Sequence, residues 1–320
     1  MTEIGTRNPL SHFADHAVDS VLPLRNLLPA PSPWGGPLIR IRDVAPVARL
    51  PDFESWLFTW DDGDGGATMR VRREQKRYRL RMYEMCDFLI DVEGCDLAVE
   101  HLPHVDADAI EHMLIDQALP RLLSERGDLV VHAGAVCVDD ECILFLGDSG
   151  WGKSTLVASF MQRGHALLSD DCVVLDVARS SVHALPTYPS LRMFEDSMAQ
   201  ALGGSVVGRP IAFYTSKQRV ALADDVAAPA RSVRAIYVLN DPAADADGTT
   251  IAPLPPMDAC MAIIRHGFRL DVASPAQHRA QLQQASAAAS RLRVFALSYP
   301  RVYERRDALV DTLLAHSRSR

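Results

Sequence analysis

Gly147-Asp148-Ser149-Gly150-Trp151-Gly152-Lys153-Ser154 satisfies the pattern G-x-x-x-x-G-K-[ST] at every defined position. The apolar run before it, Cys142-Ile143-Leu144-Phe145-Leu146, reads as a buried strand. The segment after it, Thr155-Leu156-Val157-Ala158-Ser159-Phe160-Met161, reads as a helix. Strand, glycine loop and helix in that order make a phosphate site. The glycines let backbone N–H groups close around phosphate oxygens, and the helix start adds the positive end of its dipole. Gly147, Asp148, Ser149, Gly150, Trp151, Gly152, Lys153, Ser154 and Thr155 are therefore expected to cradle a nucleotide. Lys153 would reach the β- and γ-phosphates, and the Ser154 hydroxyl would hold Mg²⁺.

Composition strengthens this reading. Lysine occurs only at Lys76, Lys153 and Lys217, while arginine supplies the remaining basic residues. A lysine in the loop is thus not the default of this chain, and its compact ammonium fits among phosphates as a planar guanidinium does not.

The chain has 320 residues, 48% hydrophobic and 23% charged, which allows two ordinary globular domains. A net charge of −8 argues against non-specific nucleic-acid binding. No apolar run approaches a membrane span, and Met1-Thr2-Glu3-Ile4 has neither a basic nor an apolar leader region, so a cytoplasmic protein without a membrane partner is expected. The six cysteines show no C-x-x-C pair or metal-ligand spacing. Cys137, Cys142 and Cys172 lie in or beside apolar strands and read as small buried hydrophobes.

Outward from the loop, the chain divides into a β-rich domain over 1–124 and an α/β domain over 125–320. The first 45 or so residues, including Pro31-Ser32-Pro33-Trp34-Gly35-Gly36-Pro37, are expected to wrap rather than form core. Strands are expected over 55–60, 78–83, 88–92 and 97–100, with a hairpin turn at Asp61-Asp62-Gly63-Asp64-Gly65-Gly66. That turn lacks the glutamate a calcium loop needs at its twelfth position. Arg70, Arg72, Arg73, Lys76, Arg77, Arg79 and Arg81 read as a solvated strand face, with an acidic or peptide docking surface as the alternative. A helix follows over 107–123. Beyond it, strands over 130–136, 141–146, 166–169, 173–176, 235–239 and 294–297 alternate with helices over 257–266, 277–291 and 302–317. Ala227-Ala228-Pro229-Ala230 and Asp241-Pro242-Ala243-Ala244 read as linkers or hairpin loops.

Asp170-Asp171 follows the next β-like run after the loop helix, where acidic residues can bind Mg²⁺ or accept a proton. Two adjacent carboxylates can divide that work, with one facing the metal and the other receiving a hydroxyl proton. A lone histidine in an apolar strand, such as His132, is ordinarily a satisfied core group. Its functional reading is to orient the carboxylates. Lys217 and Arg219 fall in a loop-like stretch and are either a phosphate clamp or a surface basic pair. His165 reads as a helix C-terminal residue, after the helix stop Gly164.

His132-Ala133-Gly134-Ala135-Val136, then Gly147 to Ser154, then Arg163-Gly164-His165 with Asp170-Asp171, resembles the catalytic domain of the HPr kinase/phosphorylase family over about residues 125 to 240. The resemblance implies the HPr kinase/PEP carboxykinase-like type of P-loop domain, and an ATP- and Mg²⁺-dependent protein serine kinase. His132, Lys153, Asp170 and Asp171 would be catalytic, and Ser154 and Asp171 would stand at the metal. The family's second signature, E-x-R-G-x-G, has no match; the stretch there is Pro186-Thr187-Tyr188-Pro189-Ser190-Leu191-Arg192-Met193-Phe194-Glu195-Asp196. This variant stretch and Lys217/Arg219 look like divergent HPr-kinase-related proteins. Some of those are encoded with lasso-peptide genes and phosphorylate the C-terminal serine of a precursor peptide. A peptide or small protein bearing an acceptor serine is then the expected partner, and homo-oligomerisation is left open. The alternatives are a true phosphocarrier (HPr) serine kinase/phosphorylase, an ATP-binding regulatory module without transfer, and a small-molecule kinase.

Overall fold

The computed structural model describes residues 8–61, 67–202, 208–212, 214–221, 229–244 and 246–319. The glycine-rich turn expected over 62–66, and Ala227-Ala228 of the expected linker, lie outside them. The described residues form two compact units, Met1–Arg126 with Arg269–Gln277, and Gly127–Phe268 with His278–Arg320.

The first unit is built on nine strands. They are β1 (Ser11–Phe13), β2 (His16–Ser20), β3 (Leu28–Pro29), β4 (Leu38–Pro46), β5 (Phe58–Asp61), β6 (Ala67–Glu74), β7 (Arg77–Met82), β8 (Cys86–Asp91) and β9 (Asp96–His101). They lie in the order β3-β1-β2-β4-β9-β8-β7-β6-β5, with β2, β4 and β9 parallel and the other neighbours antiparallel. The first 45 residues therefore do not wrap the outside as expected. Four strands of the sheet come from them, and Phe13, Ala17, Val18, Ile39 and Ile41 are core. The reason is alternation: along β4, Ile39 and Ile41 sit two residues apart and turn to one buried face.

The arginine-rich stretch departs in part from the expected solvated face: Arg73, Lys76 and Arg77 are exposed, but two of its arginines are buried. Arg79 and Arg81 in β7 are buried around Asp87 of β8. Arg79 Nη1 donates to Asp87 Oδ2 (2.8 Å) and Glu100 Oε2 (2.8 Å), and its Nε donates to Glu74 Oε1 (2.7 Å). Arg81 Nε donates to Asp87 Oδ1 at 2.7 Å. The rings of Phe53 and Trp56 cover the two guanidinium groups, with Arg81 Cζ 5.0 Å from the Trp56 centroid. Charge is buried here because the guanidinium donors meet carboxylates and, from Arg81 Nη2, the Pro51 carbonyl, while rings stand over both groups. The helical stretch is α1 (Ala107–Met113), a π-helical turn (Leu114–Ala118) and α2 (Leu119–Arg126). Its wide turn, in which Leu119 N–H reaches Leu114 O, precedes Pro120, a residue that has no N–H to give a regular ladder.

The second unit begins with β10 (Leu129–Val131), β11 (Ala133–Val138), β12 (Glu141–Leu146), α3 (Lys153–Gln162), β13 (Leu167–Ser169), β14 (Val173–Asp176) and β15 (His183–Leu185). It continues with β16 (Ser190–Met193), α4 (Glu195–Leu202), β17 (Arg209–Ala212), β18 (Thr215–Ala221), β19 (Arg231–Leu239), β20 (Thr250–Pro253) and α5 (Pro256–Arg265). Helix α6 (Pro275–Ala289), β21 (Val294–Ser298), a 3₁₀ turn (Tyr303–Arg305) and α7 (Arg306–Arg318) close the chain. The run over 130–136, read as one strand, is two. β10 pairs with β14 and β11 with β12 and β13, so the chain changes partners at His132. The hairpin turns at Asp139-Asp140 as expected. Lys217 and Arg219 stand in β18 rather than a loop, in a small sheet ordered β16-β18-β17.

β12 runs through the middle of the large sheet, antiparallel to β11 and parallel to β19. Ile143 and Phe145 face a core with Leu156, Val157 and Phe160 of α3 and Leu309, Val310 and Leu313 of α7. Cys142, Leu144 and Leu146 face the opposite core with Ala259, Cys260 and Ile263 of α5 and Ala285 and Ala288 of α6. A strand covered on both faces reads as the unbroken apolar run seen in the sequence. The fold is thus α/β, and the loop after β12 leaves from a strand buried on both faces. All six cysteines are buried and free. No described helix is long and apolar enough to cross a membrane.

Candidate functional site

Gly150 (φ +82°) and Gly152 (φ +94°) hold the left-handed conformations that turn the chain from β12 into α3, which Gly152 caps. No side chain caps the start of α3, and its first turn carries no acid, so its N–H groups and dipole face the loop uncompensated. Lys153 folds back across the loop, its Nζ donating to Gly147 O (2.8 Å) and Asp148 O (3.1 Å). Burial lowers its pKa, while Asp171 and Asp170 work to raise it. The Asp148 carboxylate accepts a hydrogen bond from Arg265 Nη2 (2.8 Å) and faces His266 Nδ1 at 3.6 Å, so its charge is drawn toward α5.

Beneath α3, β11 passes close enough that a Cβ on Gly134 would stand 2.7 Å from Val157 Cγ2 and 3.5 Å from Asp170 Oδ1. That missing side chain lets the strand, the helix and the carboxylates converge. Asp170 and Asp171 follow β13, both buried, and Asp171 adopts φ +64°. The left-handed residue breaks the strand alternation and aims the neighbouring carboxylates at different partners. Ser154 Oγ donates to Asp170 Oδ1 at 3.1 Å, and the Arg192 backbone N–H donates to Asp170 Oδ2 at 3.1 Å. Arg192 Nε donates to Asp171 Oδ2 at 2.6 Å, and His132 Nε2 lies 3.6 Å from Asp171 Oδ1.

These surroundings separate the two acids. Burial, followed by the Asp171 charge, pushes Asp170 up to about 7. Burial also works to raise Asp171, but Arg192, His132 and Lys153 together hold it well below the usual carboxylate range. His132 is lowered to about 4 by burial and by Lys153. Its Nδ1 lies 2.9 Å from the carbonyl of Asp171, an acceptor. In the neutral ring Nδ1 therefore carries the hydrogen, and Nε2 presents a lone pair toward the Asp171 carboxylate.

Ser149, Lys153, Asp171, Arg192, Phe194 and Lys217 line a cleft over the loop. Of the residues read from sequence, the structure brings together the loop, His132, Asp170, Asp171 and Lys217. It does not bring Arg219: that side chain is buried, with Nη1 on Ser190 Oγ (3.0 Å) and the guanidinium over Tyr188. Ser154 and Asp171, expected together at a metal, line the same cleft; Ser154 Oγ also bonds Asp170, and Asp171 is held by Arg192. Sequence reasoning missed Arg192 as a site residue. Its signal was in the stretch Ser190-Leu191-Arg192-Met193, where an arginine alternates with the apolar positions of what becomes β16. No cluster of three or more His, Cys, Asp or Glu that could hold a metal occurs among the described residues. A hydroxyl and one carboxylate oxygen side by side nevertheless fit Mg²⁺, which takes few protein ligands and completes its shell with phosphate oxygens and water.

No family model and no curated protein matches the chain. Among solved structures it is similar to the Hpr(Ser) kinase/phosphatase from Coxiella burnetii, at 15% identity and a TM-score of 0.34, over 59% of this chain and 95% of that one.

Proposed function

We propose that this chain is an ATP-dependent serine kinase that transfers the γ-phosphate to a serine hydroxyl of a peptide or small protein. The observation that carries the reading is the opposed setting of Asp170 and Asp171 beside the phosphate loop: one bonded to the loop hydroxyl, the other held ionised by Arg192. Asp170 and Ser154 would hold Mg²⁺, which would supply positive charge against the phosphate oxygens. Asp171 accepts the proton of the attacking serine as the new O–P bond forms and the bond to the β-phosphate oxygen breaks, releasing ADP. The protonated Asp171 then donates to His132 Nε2. Lys153, Lys217 and Arg192 offset the charge on the transferred group.

The favoured acceptor is a lasso-type precursor peptide ending in serine, which rests on the divergent stretch at 186–196. Incubating the full chain with ATP, Mg²⁺ and such peptides, and following phosphopeptide by mass spectrometry, tests the reading. Product from wild type and at least 10²-fold less from Lys153→Ala is expected. Equal yields from the two proteins overturn the assignment. Nucleotide binding with no transfer to any peptide or to a phosphocarrier protein selects the regulatory module instead.

A further inference from the structure

A second cleft, of about 240 Å³, shares Gly150, Gly152 and Thr155 with the phosphate cleft. Its far wall is the segment between β21 and α7, where the guanidinium groups of two arginines stand over the rings of two tyrosines. Arg301 Cζ is 3.9 Å from the Tyr299 ring centroid, and Arg306 Cζ is 3.4 Å from that of Tyr303. Trp151 and Leu309 extend the apolar lining, and Val302 and Tyr303, which also line it, remain 44% and 39% exposed. No acidic side chain lines it among the described residues. Arg301 uses Nη2 to donate to Asn240 O at 2.9 Å, but its Nη1 is buried without a hydrogen-bond partner. That nitrogen lies against the loop, 3.2 Å from where a Cβ on Gly152 would stand.

Each feature points to the same ligand chemistry. Guanidinium groups over tyrosine rings, with the Tyr303 ring exposed, suit a flat, electron-rich heterocycle. An unpaired buried donor costs free energy until an acceptor arrives. The shared residues Gly150, Gly152 and Thr155 require that ligand to be continuous with whatever the phosphate loop holds. An acidic peptide would satisfy the arginines but leave the rings unmatched.

We infer that this cleft is the nucleoside subsite of the site, with Tyr299, Arg301, Tyr303 and Arg306 receiving the base and sugar of a nucleoside triphosphate whose phosphates lie on the loop. The inference rests on the proposed nucleotide-dependent reading, so its test separates nucleoside from phosphate recognition. Calorimetric titration of the full chain in Mg²⁺ with ATP, and separately with inorganic tripolyphosphate, should show ATP bound at least tenfold more tightly. Tyr303→Ala and Arg301→Ala should each weaken ATP by about tenfold, as lost base stacking does, and leave tripolyphosphate affinity unchanged. Tyr303 is exposed enough that its variant keeps the fold even if Arg301→Ala does not. Equal wild-type affinity for both ligands, or variants that weaken both or neither, overturns the subsite and leaves the phosphate loop standing. Failure of the wild type to bind either ligand overturns both.

Discussion

Asp170 and Asp171 are consecutive in the chain, yet one accepts a hydrogen bond from the hydroxyl of Ser154, at the end of the glycine loop, while the other accepts from the guanidinium of Arg192. One backbone residue at φ +64° makes the difference. Two buried carboxylates so close cannot both ionise freely, and the partners decide which one does.

The first consequence is a pH dependence of stability in the nucleotide-free protein. Asp170 is raised to about 7 in the folded state, from the 3.8 of an unperturbed carboxyl. Between those values the folded state binds more protons than the unfolded state, so this group stabilises at acid pH and its contribution is lost as pH rises toward 7. Urea denaturation of wild type and Asp170→Asn at pH 5 and pH 8 should show wild type losing stability relative to the variant at the higher pH. A pH-independent difference would mean that Asp170 is not displaced upward.

Arg192 governs the other acid. It heads the groups that pull Asp171 down, so Arg192→Ala should raise the acid limb of the kcat pH profile by about one to two pH units. The profile is read with ATP and an acceptor peptide at saturating levels. An unmoved acid limb with lowered kcat would assign Arg192 to charge neutralisation alone.

The strand-loop-helix around Gly147 to Ser154 was legible because a central strand buried on both faces leaves an unbroken apolar run, and a glycine loop leaves fixed spacings. His132, Asp170 and Asp171 were legible as chemistry but not as geometry. The side of each carboxylate depends on a positive φ at Asp171 that its residue type does not announce. The N-terminal strands were hidden because Pro31 to Pro37 dominate their neighbourhood, although Ile39 and Ile41 carry the alternation. Arg79 and Arg81 read as solvated because strand periodicity cannot say that Asp87, on the next strand, will face them. Arg192 as a site residue, and the strand that carries Lys217, were not legible for the same reason: β16 and β18 are joined by register, not by a local motif.

Lys217 and Arg219 differ in what they touch, and their variants should separate accordingly. Lys217 lines the cleft over the glycine loop and rests 5.4 Å from the Phe194 ring centroid, so Lys217→Ala should lower kcat by about 10²-fold with little change in Tm. Arg219 packs on Tyr188 and Ser190, so Arg219→Ala should lower Tm. Steady-state kinetics beside thermal melts distinguish them. A Tm loss confined to the Lys217 variant would reverse the assignment.

In the first unit, Asp87 is the shared acceptor of Arg79 and Arg81 and has no exposed surface. Asp87→Ala strands two buried guanidinium groups, and should cost about 3–5 kcal/mol in chemical denaturation. Arg79 keeps Glu74 and Glu100, which bounds the loss from above. A change below about 1 kcal/mol would show that water reaches these groups despite Phe53 and Trp56.

Gly134 links packing to the site. Its missing side chain brings β11 within reach of α3, because an added Cβ would meet Val157 Cγ2 at 2.7 Å, and Lys153 Cβ at 3.7 Å. Gly134 has no positive φ, so the cost of Gly134→Ala is steric and not conformational. Val157 is fully buried among Phe145, Phe160 and Leu191 and has little room to turn. The helix must therefore lift from the sheet, carrying Lys153 and Ser154 away from Asp170. We expect about 1–3 kcal/mol of destabilisation. Because the lifted helix starts at the end of the glycine loop, ATP affinity measured by calorimetry should fall as well. Lost stability with ATP binding intact would show that Val157 yields locally, and that the loop does not depend on this contact.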